Sequence, residues 1–263
     1  MKTIRSDSNP TYRGWLALAA QRRAARAAPL ALAEGLHLAQ AALASDTPIA
    51  GYVLRRGALA PGGELGPIVA TLEARAVPGY ELGAALYDRL EPVERGAGLL
   101  LLVARHSHPV PMDSADDLVF LDGVQDPGNL GTLLRIAAAA GVRHVLGGVG
   151  CAAFWSPKAL RAAMGAHFRL RLSELVGVAA LPGALDGTWI ACEAHAARSL
   201  WSTDFGSGAL GWVFGSEGGG ISPPAAAICR QRVRVPLADG VESLNVAAAA
   251  AVCLFERRRR GAD

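Results

Sequence analysis

The chain has 263 residues, of which 51% are hydrophobic and 19% are charged. This composition supports one large or two modest hydrophobic cores and excludes an intrinsically disordered chain. It also excludes a protein built on membrane helices, because no apolar run reaches the roughly 18–20 uncharged residues that a spanning helix needs. Residues 1–10 are polar and lack the apolar core of a signal peptide, so we expect a cytoplasmic location.

The net charge of +3 is unevenly distributed along the chain. Residues 1–60 contain eight basic and three acidic residues, a net charge of +5, which leaves −2 for the remainder. Of the 26 basic residues 24 are arginines, whose planar guanidinium matches phosphate oxygens. The basic N-terminal part therefore permits contact with nucleic acid but does not by itself establish it.

The first part of the chain predicts a small α/β unit that ends at a proline-containing linker. The patterns predict a mostly helical segment at 13–44 with Arg22, Arg23 and Arg26 clustered on it, a strand at 49–54, glycine turns at 62–66, a helix at 80–90 and a strand at 98–104. Residues 106–114 have no hydrophobic period and contain two prolines. We therefore predict one domain at residues 1–108 and a second at 109–263.

The second part alternates between strand and helix patterns. Strands are predicted at 118–122, 143–146, 189–192, 210–214 and 232–236, and helices at 130–140, 157–164, 223–231 and 243–259. Such alternation is typical of an α/β fold with a parallel sheet and helices on both faces. In these sheets ligands bind beyond the carboxyl ends of the strands, so the loops there are the candidate site.

The four cysteines are isolated from one another in the sequence. Cys151, Cys192, Cys229 and Cys253 form no CxxC pair and have no histidine at metal-ligand spacing. We interpret them as small buried apolar side chains and expect neither a metal site nor a disulfide.

The first polar loop is Asp-Pro-Gly-Asn-Leu-Gly at 126–131, between a predicted strand and helix. Asn129 is a candidate N-cap of that helix, and Arg135 follows six residues later, within the first two helical turns. A catalytic arginine near the loop and an ordinary capped helix with an exposed arginine are both consistent with this segment.

The second loop is glycine-rich and follows a buried strand, with Gly215, Glu217 and three further glycines at 218–220. It lacks the GxGxxG spacing of dinucleotide-binding loops and the Gly-Lys-Ser/Thr of a Walker loop, and Glu217 would repel a pyrophosphate. The loop therefore predicts a cofactor other than a polyphosphate, with a purely structural turn as the alternative.

The third segment places Val235 and Leu237 around a proline, followed by Ser243, Leu244 and Asn245 at the start of a long apolar helix. Ser243 is a candidate N-cap, which would put Asn245 in the first turn. Capping accounts for Ser243 but leaves Asn245 as an unexplained polar residue at the edge of an apolar run.

Together and in this order, the three segments resemble the three motifs of the SpoU/TrmH-type RNA 2′-O-methyltransferases of the SPOUT superfamily. The resemblance covers residues 118–258, and the Ser-Pro-Lys to Met-Gly-Ala stretch at 156–166 is similar to the family's segment between its first two motifs. It implies a parallel-sheet domain with a trefoil knot, an exception to the rule against knots. Ile136 and Ser216 depart from the family pattern without removing a reactive group.

The resemblance also implies the ligands and the roles of the site residues. S-adenosylmethionine would be held at Gly215, Val235, Leu237 and Leu244. The catalytic positions would be Asn129, Arg135, Glu217, Ser243 and Asn245. Because a guanidinium keeps its proton near neutral pH, we expect Arg135 to stabilise the developing alkoxide or to bind the adjacent phosphate, with the other polar residues orienting it and the ribose.

Further implications concern the partners. The Ser-Asp-Ser-Asn-Pro segment at 6–10 and the Glu-Gly pair at 34–35 resemble, more loosely, the family's substrate-binding domain, which is similar to a ribosomal-protein-type α/β sandwich. We therefore expect RNA as the substrate, rRNA before tRNA, and a homodimer through the C-terminal domain. The apolar helix at 246–255 would belong either to that interface or to the core. The arginine run at 257–260 would either contact RNA or be a solvated tail.

Three other functions fit the sequence less well. A non-catalytic RNA-binding protein of the same fold has no reason to keep Arg135, Glu217, Ser243 and Asn245 together. A SPOUT enzyme that methylates a base fits less well, because the spacing of Asn129 to Arg135 and the Ser-Leu-Asn at 243–245 favour ribose. A nucleotide-dependent oxidoreductase lacks its fingerprint.

Overall fold

The computed structural model describes residues 1–20, 28–90, 96–112, 114–181 and 189–261. The cluster of Arg22, Arg23 and Arg26 lies outside the described residues. The chain forms two compact units, one from Met1–Arg105 with Ala153–Phe168 and the other from His106–Ala152 with Arg169–Asp263. No helix in the described ranges is long and apolar enough to cross a membrane.

The strands and helices of the described residues have the following bounds. The strands are β1 (Lys2–Ile4), β2 (Leu30–Glu34), β3 (Ile49–Arg55), β4 (Gly79–Leu82), β5 (Leu99–Ala104), β6 (Leu118–Asp122), β7 (His144–Gly148), β8 (Arg171–Val176), β9 (Trp189–Cys192), β10 (Arg198–Ser199), β11 (Gly211–Gly215) and β12 (Gln231–Arg234). The α-helices are α1 (Pro10–Ala19), α2 (Leu36–Leu43), α3 (Leu65–Ala74), α4 (Ala84–Tyr87), α5 (Pro127–Ala140), α6 (Pro157–Ala163), α7 (Pro223–Ala227) and α8 (Val246–Arg260).

The first unit is built on a mixed sheet with the strand order β1-β4-β3-β5-β2 in its described residues. Strands β1, β4 and β3 are parallel, whereas β5 runs antiparallel to both β3 and β2. Its core contains Tyr12, Trp15, Val53 and Leu100. Asn9 caps α1 by accepting hydrogen bonds from the amides of the first turn, with Pro10 at its first position.

Two sequence-based predictions in this unit are wrong. The segment 13–44 is not mostly helical, because β2 divides it, and the segment 80–90 holds the end of β4 and the short α4. The Leu-Ala-Leu-Ala run of β2 is short and apolar, and such a run fits a buried strand as well as a helix. In the folded protein this segment is a strand because its five residues pair with β5.

The second unit contains a parallel sheet with the strand order β10-β12-β9-β11-β6-β7-β8 in its described residues, which confirms the predicted α/β class. Strands β6 and β11 lie at its centre and bury Phe120, Trp212 and Val213. β8 was not predicted, because Ser173 and Glu174 interrupt its apolar pattern. The chain adds β7 and β8 on one side of β6 and β11 on the other, so the direction of winding switches between β6 and β11.

The C-terminal helix α8 packs against α5, β9 and β11 and buries Ala250 and Leu254 on that face. The arginine run at its end is not a solvated tail. Arg257 donates to Asp117 at 3.1 Å and to the carbonyl of Gly208 at 2.6 Å, and Arg258 donates to the carbonyl of Ala139 at 2.9 Å. Arg260 likewise reaches the carbonyls of Trp201 and Thr203. These contacts tie the helix end to its own unit.

Two buried histidines have pKa values lowered to about 4, in both cases mainly by burial. The hydroxyl of Ser173 donates to the carbonyl of His108, so Nε2 of His144 must be the donor in its 2.9 Å bond to Ser173. Nε2 of His167 donates to the carbonyl of Phe154 at 2.6 Å, while its buried Nδ1 has no partner among the described residues. Because burial lowers the pKa of both side chains, the two rings are neutral at pH values above about 4.

We expect these histidines to make the protein less stable as the pH falls from 6.5 to about 4. Across that range the imidazoles of the unfolded chain become protonated, whereas the buried rings of the folded protein stay neutral. At the acidic end, each buried ring therefore lowers the free energy of unfolding by on the order of 1–3 kcal/mol. Denaturant unfolding as a function of pH measures the effect. His144→Gln keeps a donor for Ser173 and should flatten the slope. An unchanged slope in His144→Gln would contradict the assignment.

Candidate functional site

The candidate site lies at the carboxyl edge of the parallel sheet. Strands β6, β11, β9 and β12 are neighbours and run in the same direction, so the loops that follow them emerge at one edge. Asp122 at the end of β6 is in register with Gly215 at the end of β11. This is the point where the winding switches, at which open parallel sheets bind their ligands.

A cavity of about 770 Å³ lies between the segments that follow β9, β11 and β12. The four residues predicted to bind a cofactor all line it, together with Glu217, Ser243 and Asn245. Its wall consists of the glycine-rich loop on one side and apolar residues such as Val235 and Leu244 on another. Both the volume and this mixture of backbone and apolar side chains are typical of a small-molecule site.

The glycine-rich loop is a tight turn closed by its own backbone. The amide of Ser216 donates to the carbonyl of Gly220, and the amide of Gly220 donates back to the carbonyl of Ser216, both at 3.0 Å. The Ser216 hydroxyl also accepts from the amide of Gly219 at 3.1 Å. A Cβ on Gly215 would overlap the backbone of Gly220, and Gly220 itself has a φ of +63°. Glycine is therefore required at two positions by the turn itself.

The helix caps differ from those predicted. Asp126, not Asn129, caps α5, because its carboxylate accepts from the amide of Asn129 at 2.8 Å. Asn245, not Ser243, caps α8, because its side-chain oxygen accepts from the amides of Ala247 and Ala248. Helix ends shift by a few residues more easily than sequence patterns resolve, and asparagine caps as well as serine. The side chain of Asn129 is thereby free for other contacts.

Asn129, Glu217 and Asn245 form a directed chain of hydrogen bonds across three loops. The cap fixes the amide of Asn245 with its oxygen towards the helix, so its nitrogen donates to the oxygen of Asn129 at 3.0 Å. The nitrogen of Asn129 then donates to the carboxylate of Glu217 at 2.6 Å. The helix terminus thus determines which atom each side chain presents.

Arg135 and Ser243 are not part of this chain. Arg135 is the ninth residue of α5, in its third turn, rather than in the first two turns. It is exposed and forms no hydrogen bond or ion pair with the described part of the chain. Ser243 lines the cavity and is also exposed. The structure therefore brings three of the five predicted catalytic residues together and leaves Arg135 available to a ligand.

Residues at and after the end of β9 also face the cavity, although the sequence patterns did not single them out. Cys192, Glu193 and His195 line the cavity, and Glu193 also lies 3.6 Å from Arg232 on β12. Polar residues directly after the strand predicted at 189–192 were the available signal. Within the described ranges, no three His, Cys, Asp or Glu side chains converge as a metal site would require.

Comparison with known proteins gives consistent results. The SpoU rRNA Methylase family matches residues 117–255. The chain is 34% identical over 239 residues to an uncharacterized tRNA/rRNA methyltransferase of Synechocystis, a match that covers 87% of this chain and 84% of that protein. It is 33% identical over 205 residues to a 23S rRNA (guanosine-2′-O-)-methyltransferase of Bordetella pertussis, with 72% and 83% covered.

A solved structure has the same fold along nearly the whole chain. The S-adenosylmethionine-bound rRNA methyltransferase of Sinorhizobium meliloti matches with a TM-score of 0.83 at 24% identity, covering 98% of both chains. The mixed α/β architecture with a parallel sheet is therefore that of known rRNA methyltransferases.

Proposed function

Since the chain belongs to the SpoU rRNA methylase family, we propose that the cavity at the carboxyl edge of its parallel sheet is the methyl-transfer site. The chain is an S-adenosylmethionine-dependent RNA methyltransferase, and its reaction methylates a ribose 2′-hydroxyl. Its proposed substrate is a ribosomal RNA, with tRNA as the second candidate. One observation supports the location above all: Glu217 and Asn245 line the cavity, and both are hydrogen-bonded to Asn129.

The residues around the cavity fit S-adenosylmethionine. Val235, Leu237 and Leu244 supply apolar surface for an adenine, and the turn at Gly215 presents backbone without side chains. The carboxylates of Glu193 and Glu217 add negative charge, which favours a cationic sulfonium over a phosphate. When bound, the cofactor supplies an electrophilic methyl group.

Arg135 is the proposed catalytic residue. Its guanidinium remains protonated near neutral pH, so it does not act as the base. Exposed and unpaired within the described chain, it is available to bind the phosphate next to the reacting ribose or to stabilise the developing alkoxide. In the first case that phosphate accepts the proton of the 2′-hydroxyl.

The polar chain and Ser243 are the proposed ribose-positioning groups. The amide groups of Asn129 and Asn245 are held by the start of α8, so their orientation is set before the RNA arrives. Because these hydrogen-bond donors and acceptors are already oriented, they align the ribose hydroxyl with the methyl group at little cost in conformational entropy. Glu217 accepts from Asn129 and holds it in this orientation.

Residues 1–108 would bind the RNA substrate, with their basic bias as support, and residues 109–263 would form the methyltransferase domain with a trefoil knot. The knot is supported by the matching fold. We also propose a homodimer through the C-terminal domain, as the family resemblance implies, and a cytoplasmic location, which accords with a ribosomal RNA substrate.

The chemistry is tested by incubating the protein with methyl-labelled S-adenosylmethionine and unmethylated rRNA and tRNA fractions. Alkali cannot cleave after a 2′-O-methylated ribose, so we expect the label in alkali-resistant dinucleotides from rRNA. Label in mononucleotides would indicate base methylation, and label only in the tRNA fraction would favour the second candidate. RNA binding without any label would contradict an enzymatic function.

A further inference from the structure

Two cysteines that lie 61 positions apart in the sequence meet beside the cavity. The sulfur atoms of Cys192 and Cys253 are 3.5 Å apart, and the thiol of Cys253 donates to the sulfur of Cys192. Cys192 is the last residue of β9, and Cys253 lies on α8, so the pair spans the contact between this strand and helix. No disulfide joins the two sulfurs in this structure.

The two thiols differ in access. Cys192 is partly exposed and lines the cavity, whereas Cys253 is completely buried. A small reagent therefore reaches Cys192 first and through the cavity. The hydrogen bond from Cys253 lowers the pKa of Cys192, which favours its reactive thiolate, and the same bond with burial raises the pKa of Cys253.

The other two cysteines, Cys151 and Cys229, differ from this pair in their thiol pKa values and in their position relative to the cavity. Burial raises the pKa of Cys151, and burial raises that of Cys229 to about 12. Neither thiol lines the cavity. Cys151 is buried, whereas Cys229 is partly exposed like Cys192 but away from the cavity. With raised thiol pKa values, both form less of the reactive thiolate than Cys192 does.

We propose that Cys192 and Cys253 form an intrachain disulfide when a hydroperoxide enters the cavity, and that bound S-adenosylmethionine prevents it. The Cys192 thiolate attacks the peroxide, forms a sulfenic acid and releases one water. The sulfur of Cys253 then displaces the hydroxide of the sulfenic acid, and its thiol proton completes a second water. Two thiols and one hydrogen peroxide thus give one disulfide and two waters.

The disulfide would act on the site directly. Its sulfurs must approach by about 1.5 Å to reach bonding distance, which pulls α8 and the end of β9 together. The loop closed by residues 192 and 253 includes both the glycine-rich turn and Asn245. The protection by the cofactor rests on the proposed function, because it requires the cofactor to occupy this cavity, whereas the disulfide itself does not.

The experiment treats the purified protein with hydrogen peroxide, with and without saturating S-adenosylmethionine, and maps disulfides by mass spectrometry of unreduced peptides. We expect a peptide pair joined through Cys192 and Cys253, formed at least tenfold more slowly with the cofactor and reversed by dithiothreitol. Calorimetry should show at least tenfold weaker cofactor binding to the oxidised form. Cys151→Ala and Cys229→Ala should retain the cross-link, and Cys253→Ala should stop at a sulfenic acid on Cys192.

The proposal is overturned if no Cys192–Cys253 peptide forms, or if Cys192 oxidises in the wild type without involving Cys253. If calorimetry shows that the protein binds the cofactor but the disulfide forms at the same rate with and without it, the proposed protection is overturned. Absence of any cofactor binding to the reduced protein would instead count against the proposed function, while the cross-linked peptide would still support the thiol pair.

Discussion

Replacing Arg135 with alanine is expected to lower the rate of RNA methylation by about 10²–10³-fold while leaving the protein folded. The loss corresponds to one charge-stabilising donor removed from a reaction centre. Because Arg135 is exposed and has no partner in the described chain, the free energy of unfolding should change by no more than about 0.5 kcal/mol. Single-turnover methylation and denaturant unfolding measure the two quantities.

Arg143→Ala is the matched control for this variant. Arg143 is also an exposed arginine, but it directly precedes β7 at the opposite, amino edge of the sheet, where it lies 3.7 Å from Asp116. The Arg143→Ala substitution removes the same charge without affecting the site, so this variant should retain the wild-type rate of RNA methylation. Arg135→Lys keeps the positive charge but loses the planar guanidinium with its paired N–H donors, so we expect an intermediate rate of RNA methylation. Full activity of Arg135→Ala, or its unfolding, would refute the catalytic assignment.

Replacing Gly215 with alanine is expected to destabilise the protein by about 1–3 kcal/mol and to abolish cofactor binding. The new methyl group would overlap the backbone of Gly220 and Ile221, so the turn has to open. Opening breaks the paired hydrogen bonds between Ser216 and Gly220 and moves Glu217 away from Asn129. Chemical unfolding gives the stability, and calorimetric titration with S-adenosylmethionine gives the affinity.

Gly218→Ala separates this effect from any general loss of loop flexibility. A Cβ at Gly218 meets nothing within 4 Å and the residue has no positive φ, so stability should change by no more than about 0.5 kcal/mol. Similar losses in both variants would show that the loop needs flexibility rather than the close approach at Gly215. Normal binding by Gly215→Ala would remove this turn from the proposed cofactor site.

The sequence was sufficient to predict which loops lie together at the carboxyl edge of the sheet, because each follows an apolar strand in an alternating α/β pattern. Parallel strands end at one edge, so polar residues after β6 and β11 had to lie near each other. The contacts within the site were not predictable in the same way. Asn129 bonds to Glu217, 88 positions later, and to Asn245, 116 positions later, and no local pattern specifies such pairs.

The sequence by itself determined the parallel α/β class, which depends on strand and helix patterns of near neighbours, and the family, through the resemblance of its three motifs. Tertiary structure decided the remaining points. Strand pairing with β5 converted the apolar run of β2 from helix to strand, and the caps moved to Asp126 and Asn245. The meeting of Cys192 with Cys253 likewise depends on how α8 packs on β9. Each of these outcomes depends on the energy of contacts between segments that are distant in the sequence. A local sequence pattern contains no information about such contacts.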